Sequence, residues 1–88
     1  DDVIYKKGQI YHKEQKYELA IKEYEKVATN YQFDILADDA LFQWAEILEY
    51  QLNQEQKAKE IYEKIVTEYN GSIYTSKSRE RFRKLRKE

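Results

Sequence analysis

The sequence has no cysteine and no proline, and it has only two glycines. Without cysteine the chain can form no disulfide and no thiolate metal site, and it lacks a cysteine nucleophile. Because proline and glycine are the residues that interrupt helices, almost nothing in this chain breaks one. Alternating runs of β-branched residues are also missing, which disfavours strands. The composition therefore predicts an all-α protein.

Long apolar runs are missing as well. No stretch approaches the roughly 20 apolar residues that span a membrane, and there is no signal-peptide pattern, so a membrane partner is disfavoured. The absence of cysteine is compatible with either the cytoplasm or the periplasm. The first residues already have a helical pattern, which favours a fragment of a longer chain.

Charged residues make up 38% of the chain, a proportion that is compatible with disorder. The nine tyrosines, three phenylalanines and one tryptophan recur at helical spacing, which argues for a folded domain instead. The net charge of −1 is unevenly distributed. Residues 76–88 carry seven basic and two acidic residues, a net charge of +5, and the rest of the chain carries −6.

An internal repeat is the strongest pattern in the sequence. Residues 24–27 (Tyr-Glu-Lys-Val) recur 38 positions later as residues 62–65 (Tyr-Glu-Lys-Ile). Gly8 aligns with Ala45 at an offset of 37, so one extra residue is expected in the second turn, near residues 51–53. The 38-residue offset also relates Ala20 to Ala58, Tyr31 to Tyr69, Ile35 to Ile73, and Trp44 to Phe82.

Apolar residues three or four positions apart predict two helical hairpins followed by one last helix. The residues expected on the apolar stripes are, helix by helix, Val3, Lys7 or Gly8, Ile10 and Tyr11; Tyr17, Ala20, Ile21, Tyr24, Val27 and Tyr31; Leu36, Ala40, Leu41, Trp44, Ala45 and Leu48; Ala58, Ile61, Tyr62, Ile65 and Tyr69; and Tyr74, Phe82 and Leu85.

Residues that start and stop helices stand between these stripes. Asp34 is expected to cap the third helix. Asn53 with Gln56 resembles a capping box for the fourth. Gly71 is expected to end the fourth helix in a left-handed conformation, and Ser72 to cap the fifth.

The units resemble the tetratricopeptide pattern, Trp-x2-Leu-Gly-x2-Tyr followed by Ala-x3-Phe and then Pro. The first unit offers Gly8–Tyr11 and Ala20–Tyr24, and the second offers residues 41–48 and Ala58–Tyr62. The sequence departs from the pattern at four positions: Ile4 replaces the aromatic residue, Lys7 replaces Leu, and Gln32 and Asn70 stand where Pro would be.

The resemblance implies a right-handed solenoid of helical hairpins, with two helix pairs and a C-terminal capping helix in a single domain. Its expected units are residues 1–34, residues 35–71 and the basic helix of residues 72–88. Residues 69–74 also resemble a turn in long tetratricopeptide proteins of Gram-negative bacteria, which implies a bacterial origin.

Nothing in the sequence indicates an enzyme, and no cofactor is expected. His12 is the only histidine, and its polar surroundings favour an exposed residue without a catalytic role. Asp38 and Asp39 could suggest oxygen ligands for a metal ion, but acidic residues are common in the first turn of any helix. A glycine-rich phosphate loop is absent.

The resemblance also implies that the first helix of each hairpin lines a concave groove that binds a protein or peptide. Tyr5, Phe42 and Tyr50 fall off the apolar stripes and are expected to be the exposed anchors of that groove. The partner-binding positions carried over from the family are Tyr5, Gln9, His12, Asp39, Phe42, Glu46, Glu49, Tyr50, Lys77 and Lys84.

The basic last helix has three interpretations: a polar cap on the repeat stack, a contact with the acidic body of another chain, or a phosphate-binding surface for nucleic acid or anionic lipid. The overall acidic balance disfavours nucleic acid. Two functions follow for the whole chain. One is a protein-interaction scaffold that uses the groove. The alternative is a structural segment that stacks on further repeats or on a second copy, because such folds usually need at least three repeats.

Overall fold

The computed structural model describes residues 2–30 and 35–86, which contain five α-helices and no strand. These confirm the all-α prediction. The third helix continues directly into a π-helical turn, Ile47–Gln51. The α-helices are α1 (Asp2–Lys13), α2 (Tyr17–Asn30), α3 (Ala37–Glu46), α4 (Glu55–Glu68) and α5 (Thr75–Arg86).

The helices pack in chain order. α1 pairs with α2, α2 with α3, α3 with α4, and α4 with α5. Two hairpins, α1–α2 and α3–α4, are therefore followed by α5, which lies against α4 as the first helix of a third unit. Fully buried Tyr24 and Tyr62 occupy equivalent positions in two adjoining apolar clusters.

Small residues allow the helices of each hairpin to approach closely, as the repeat pattern predicts. Ala20, Ala45 and Ala58 are completely buried. A Cβ atom added to Gly8 would lie 2.8 Å from Cε1 of Tyr24, which is too close for two carbon atoms. The Tyr24 ring therefore fills the space that glycine leaves open.

The apolar stripe of α1 lies elsewhere than expected. Val3 and Ile10, predicted to face the core, are 75% and 57% exposed. Gly8 is buried and Tyr11 packs against the cluster around Tyr24, as predicted, and Ile4 packs there in place of Val3. Positions 4, 8 and 11 follow one another at helical spacing, so they lie on one face of α1.

The turns inside the two hairpins share one design. Gln15 and Asn53 both have positive φ, 64° and 54°. The amide of the next residue bonds back to the preceding helix, from Lys16 N to Tyr11 O (2.9 Å) and from Gln54 N to Leu48 O (2.7 Å). The predicted capping role of Asn53 is wrong, since asparagine here supplies the left-handed residue of the turn.

The extra residue of the second unit, Gln51, lies in the predicted range of residues 51–53, but it extends the helix as part of a π turn and does not lengthen the turn itself. The π-helical turn Ile47–Gln51 is closed by a bond from Leu52 N to Ile47 O (3.0 Å), which spans five residues. A π turn holds one residue more than an α turn. The additional residue is therefore taken up inside the helix, and the loop that follows resembles the loop after α1.

The connection between α4 and α5 differs from its prediction. Gly71 does not have positive φ, so it is not the left-handed residue that ends α4. Ser72 does not cap α5, which begins at Thr75. The Ser72 hydroxyl instead accepts a bond from the amide of Tyr74 (2.9 Å), while the Thr75 hydroxyl donates to the carbonyl of Tyr69 (2.9 Å). Tyr31, Gln32 and the predicted cap Asp34 lie outside the described residues.

Candidate protein-interaction surface

The ten predicted partner-binding residues lie on α1, on α3 with the π turn that follows it, and on α5, and we call these residues the inner surface. Gln9, Tyr50, Lys77 and Lys84 are exposed. The half-buried members are Tyr5, His12, Asp39 and Glu46, and the buried members are Phe42 and Glu49. The structure thus divides the set into side chains that face solvent and side chains that hold the repeats together.

Phe42 is buried, contrary to the expectation of an exposed anchor. It retains only 7% of its accessible surface. Its ring stacks on Tyr74 with centroids 4.5 Å apart and meets the edge of Tyr62 at 6.0 Å. Tyr74 precedes α5, so the start of the third unit covers the aromatic residue that the sequence places in the groove.

Asp39 joins the same contact, because its carboxylate accepts a hydrogen bond from the Tyr74 hydroxyl. This bond is the main reason why the pKa of Tyr74 is raised. On the other side, Tyr5 packs against Tyr24 with ring centroids 5.6 Å apart. Burial, followed by the charges of Asp39 and Asp38, raises the pKa of Tyr5 to about 12.

Glu49 is also buried, in contrast to its predicted place in an open groove. Its carboxylate pairs with the guanidinium of Arg81, which donates from both Nη2 and Nε, the latter at 3.2 Å. The hydroxyl of Tyr62 donates a third bond at 2.9 Å. A carboxylate with these three donors is stable away from water, and it ties α5 to the end of α3 and to α4.

Tyr50 is the only exposed aromatic side chain within residues 2–30 and 35–86, at 52% of its accessible surface. The Arg81 guanidinium lies 5.4 Å from its ring centroid, within cation–π range. Arg81 is itself held by Glu49, so the guanidinium group that contacts the ring is tied to the end of the same helix. Nearby, burial raises the pKa of Glu46, and Lys77 opposes that shift.

His12 is half-buried and not fully exposed as predicted. Its Nδ1 lies 3.2 Å from the hydroxyl of Tyr24, and its ring meets Tyr17 edge-on at 6.0 Å. Burial lowers the pKa of His12, which favours the neutral imidazole. These contacts give it a packing role at the end of α1.

The acidic pair at the start of α3 is arranged locally. Asp38 and Asp39 lie in the first turn of the helix, as predicted, and Asp38 Oδ1 accepts a bond from the Asp39 amide (3.0 Å). Across the described part of the chain, no three histidine or carboxylate groups come together as metal ligands.

Among the same residues, no helix has the length and apolarity needed to cross a membrane.

Two residues that organise this surface were not predicted, Arg81 and Tyr74. Arg81 lies four residues after Lys77 and three before Lys84, so helical periodicity alone could have added it to the predicted face. Tyr74 was expected in the core of the last helix. No sequence signal pairs it with Phe42 and Asp39, because its position depends on the turn between α4 and α5.

Comparison with protein families agrees with this geometry. Two family models, both described as tetratricopeptide repeat, match residues 1–32 and residues 39–72. The chain therefore belongs to the tetratricopeptide repeat family, whose repeats generally mediate protein–protein interaction and are typically not catalytic. Comparison with curated proteins and with solved structures gave no significant match.

Proposed function

We propose that this chain is a protein-interaction module that binds a protein or peptide segment on its inner surface. The exposed side chains there are mixed in character, with an amide (Gln9), an aromatic ring (Tyr50) and two ammonium groups (Lys77 and Lys84). Such a surface suits a partner segment with an apolar side chain near the middle and acidic groups toward α5.

The observation that supports this proposal is the exposed but fixed ring of Tyr50. Partially exposed aromatic side chains that are already ordered lose little entropy on binding and often contribute much of the binding energy. Glu49 orders Arg81, and Arg81 orders the Tyr50 ring. Phe42 has no such role, since Tyr74 already occupies its ring face.

Peptide selection from a random library on the immobilised protein tests this proposal. Selected peptides should bind the Tyr50→Ala variant at least about tenfold more weakly, since the ring would act as an anchor. Ile73→Ala is the matched control, because Ile73 is also exposed and apolar but lies in the turn before α5. If no peptide is enriched, or if both variants bind equally well, the inner surface is not the binding site.

A second candidate function is stacking on a further repeat or on a second copy. It is favoured by Val3 and Ile10, which lie seven residues apart on α1 and are both exposed. Such a ridge is what another helix would cover in a longer stack. Self-stacking predicts a mass that rises with protein concentration in light scattering and returns to that of a monomer in Ile10→Glu. A constant monomeric mass excludes a second copy as the partner.

A further inference from the structure

α5 repeats the environment pattern of α3 at the 38-residue offset. Buried Ala37 and Ala40 correspond to buried Thr75 and Ser78. The half-buried Trp44 corresponds to half-buried Phe82. α5 therefore has the orientation of a first helix in a hairpin, and the role of each of its faces can be assigned from α3.

On α5, the face that corresponds to the α4-contacting face of α3 is charged and not apolar. In α3 and its π turn that face consists of Leu41, Ala45 and Leu48, which are buried in one cluster with residues of α4. Their counterparts in α5 are Arg79, Arg83 and Arg86, and all three are exposed. We call these three residues the arginine stripe. In the preceding unit, α4 covers the corresponding face of α3.

Within the described residues, the side chains of Arg79 and Arg83 form no ion pair or hydrogen bond, and Arg86 lies over the ring of Phe82 on the same helix at 5.9 Å. The one acidic residue of α5, Glu80, pairs with Lys84 instead. A shallow depression of about 400 Å³ runs beside the stripe, lined by Ser76, Arg79, Glu80, Arg83 and Lys84.

A polar cap alone does not account for this arrangement. Several exposed charges have an opposite charge four residues away, as in Asp2–Lys6, Lys64–Glu68 and Glu80–Lys84. Arg79 and Arg83 are also four residues apart, but they carry the same charge, which destabilises a helix. Any polar residue would keep this face in water, so the uncompensated pair indicates a negative charge supplied from outside.

We infer that the arginine stripe docks an acidic helix of a partner protein, which lies along α5 as α4 lies along α3. The guanidinium group of arginine can donate two parallel hydrogen bonds to one carboxylate. A helix with acidic residues three or four positions apart would place them opposite the arginines of the stripe. A nucleic acid fits less well, because its backbone would continue onto the rest of the chain, where residues 1–75 carry −6. This site adjoins the inner surface proposed above, since Lys84 lies at the edge of both, but the three arginines of the stripe are not part of that surface.

Binding of designed helical peptides to the purified protein tests the inference. The probe is a labelled peptide of 14 residues, the length of α4, with glutamates on one face, and its twin carries glutamines there. The glutamate peptide should bind more tightly than its twin, and its affinity should fall as salt rises from about 50 to about 200 mM, because screening weakens exposed charge pairs.

Charge reversal on two different helices provides the control. Arg79→Glu with Arg83→Glu should weaken binding of the glutamate peptide at least about tenfold, since two attractive contacts become repulsive. Lys6→Glu with Lys7→Glu on exposed positions of α1 changes the net charge equally and should leave affinity within about twofold. Circular dichroism of both variants establishes that they remain helical.

Three outcomes would overturn the inference. The first is that the two peptides bind alike or not at all, which would make the stripe a solvated cap. The second is an equal effect of the two charge reversals, which would indicate non-specific attraction. The third is tighter binding of duplex DNA or of vesicles containing anionic lipid than of the glutamate peptide, which would make the stripe a phosphate-binding surface.

Discussion

The two glycines differ in how closely other side chains pack around them. Gly8 leaves room for the ring of Tyr24, and Tyr24 in turn bonds to His12. Glycine here is required by packing and not by backbone conformation, since neither glycine has positive φ. The other glycine, Gly71, has open space around it, so the two positions respond differently to the same substitution.

Gly8→Ala should destabilise the protein by about 1 kcal/mol. Forcing a methyl group against the Tyr24 ring costs roughly 1–3 kcal/mol, and the better helix propensity of alanine offsets about 1 kcal/mol of it. Chemical denaturation measures the difference. Gly71→Ala is the matched control and should raise the free energy of unfolding by up to about 1 kcal/mol. Equal stabilisation by both substitutions would show that the Gly8 contact is not tight.

The helix α3 differs from α1 by a single inserted residue, and its last turn is π-helical for that reason. When the two hairpins are aligned from both ends, Gln51 has no counterpart in the first hairpin. The π turn carries Glu49 and Tyr50, the two residues that contact Arg81. The insertion thus sets the direction of the side chains that reach α5, as π turns at functional sites often do.

Deletion of Gln51 should leave both hairpins helical, because the first hairpin folds without that residue, but it should loosen α5 by turning Glu49 and Tyr50 away from Arg81. Deletion of Glu14 in the equivalent turn is the control and should unfold the first hairpin, which has no surplus residue. Thermal and chemical denaturation followed by circular dichroism compares them. Similar losses in both deletions would mean that the π turn is not a removable insertion.

The attachment of α5 depends on the buried ion pair between Glu49 and Arg81. Arg81→Ala leaves a carboxylate in the core with only the Tyr62 hydroxyl as donor, which should cost about 3 kcal/mol. Arg83→Ala, on the exposed stripe, should change stability by less than about 0.5 kcal/mol.

Adding Glu49→Gln to Arg81→Ala should recover part of the loss, because the uncompensated charge is removed. Denaturant titration gives the stabilities, and hydrogen exchange shows whether the α5 amides lose protection first. If Arg81→Ala and Arg83→Ala have equal effects, the ion pair does not hold α5.

Across the whole molecule, opposite charges meet between neighbouring first helices. Residues 35–54 contain four acidic residues and no basic one, whereas α5 contains six basic residues and one acidic one. Glu49 pairs with Arg81, and Lys77 acts on Glu46. Part of the charge asymmetry in the sequence is therefore neutralised within one chain, and the arginine stripe is the part that is left over.

Alkaline pH should unfold the protein cooperatively. Burial raises the pKa of Tyr5 to about 12, burial also raises the pKa of Tyr24 and Tyr62, and the bond to Asp39 raises that of Tyr74. The unfolded chain loses these phenolic protons near the ordinary pKa of 10.0, while the folded chain keeps them. Their contribution to stability is therefore complete below pH 10 and is lost as the pH rises above it.

Tyrosinate absorbance and circular dichroism, measured together, check this expectation. Most of the tyrosinate signal should appear in the same pH step as the loss of helix. Ionisation of all nine tyrosines near pH 10 without loss of helix would contradict it, since it would mean that the rings are accessible in the folded state.

The sequence by itself determined the helices, the repeat and the small residues at helix contacts, because these follow from local propensity and from spacing along one chain. The resemblance to the family also predicts the inner surface as a set of positions. It could not separate exposed from buried members of that set, since Tyr74 and Arg81 come from the next unit. Phe42 and Glu49 are covered by those residues together with Tyr62 of α4, and not by their own helix. Only the tertiary structure decides such contacts, because they depend on how successive units are placed against each other.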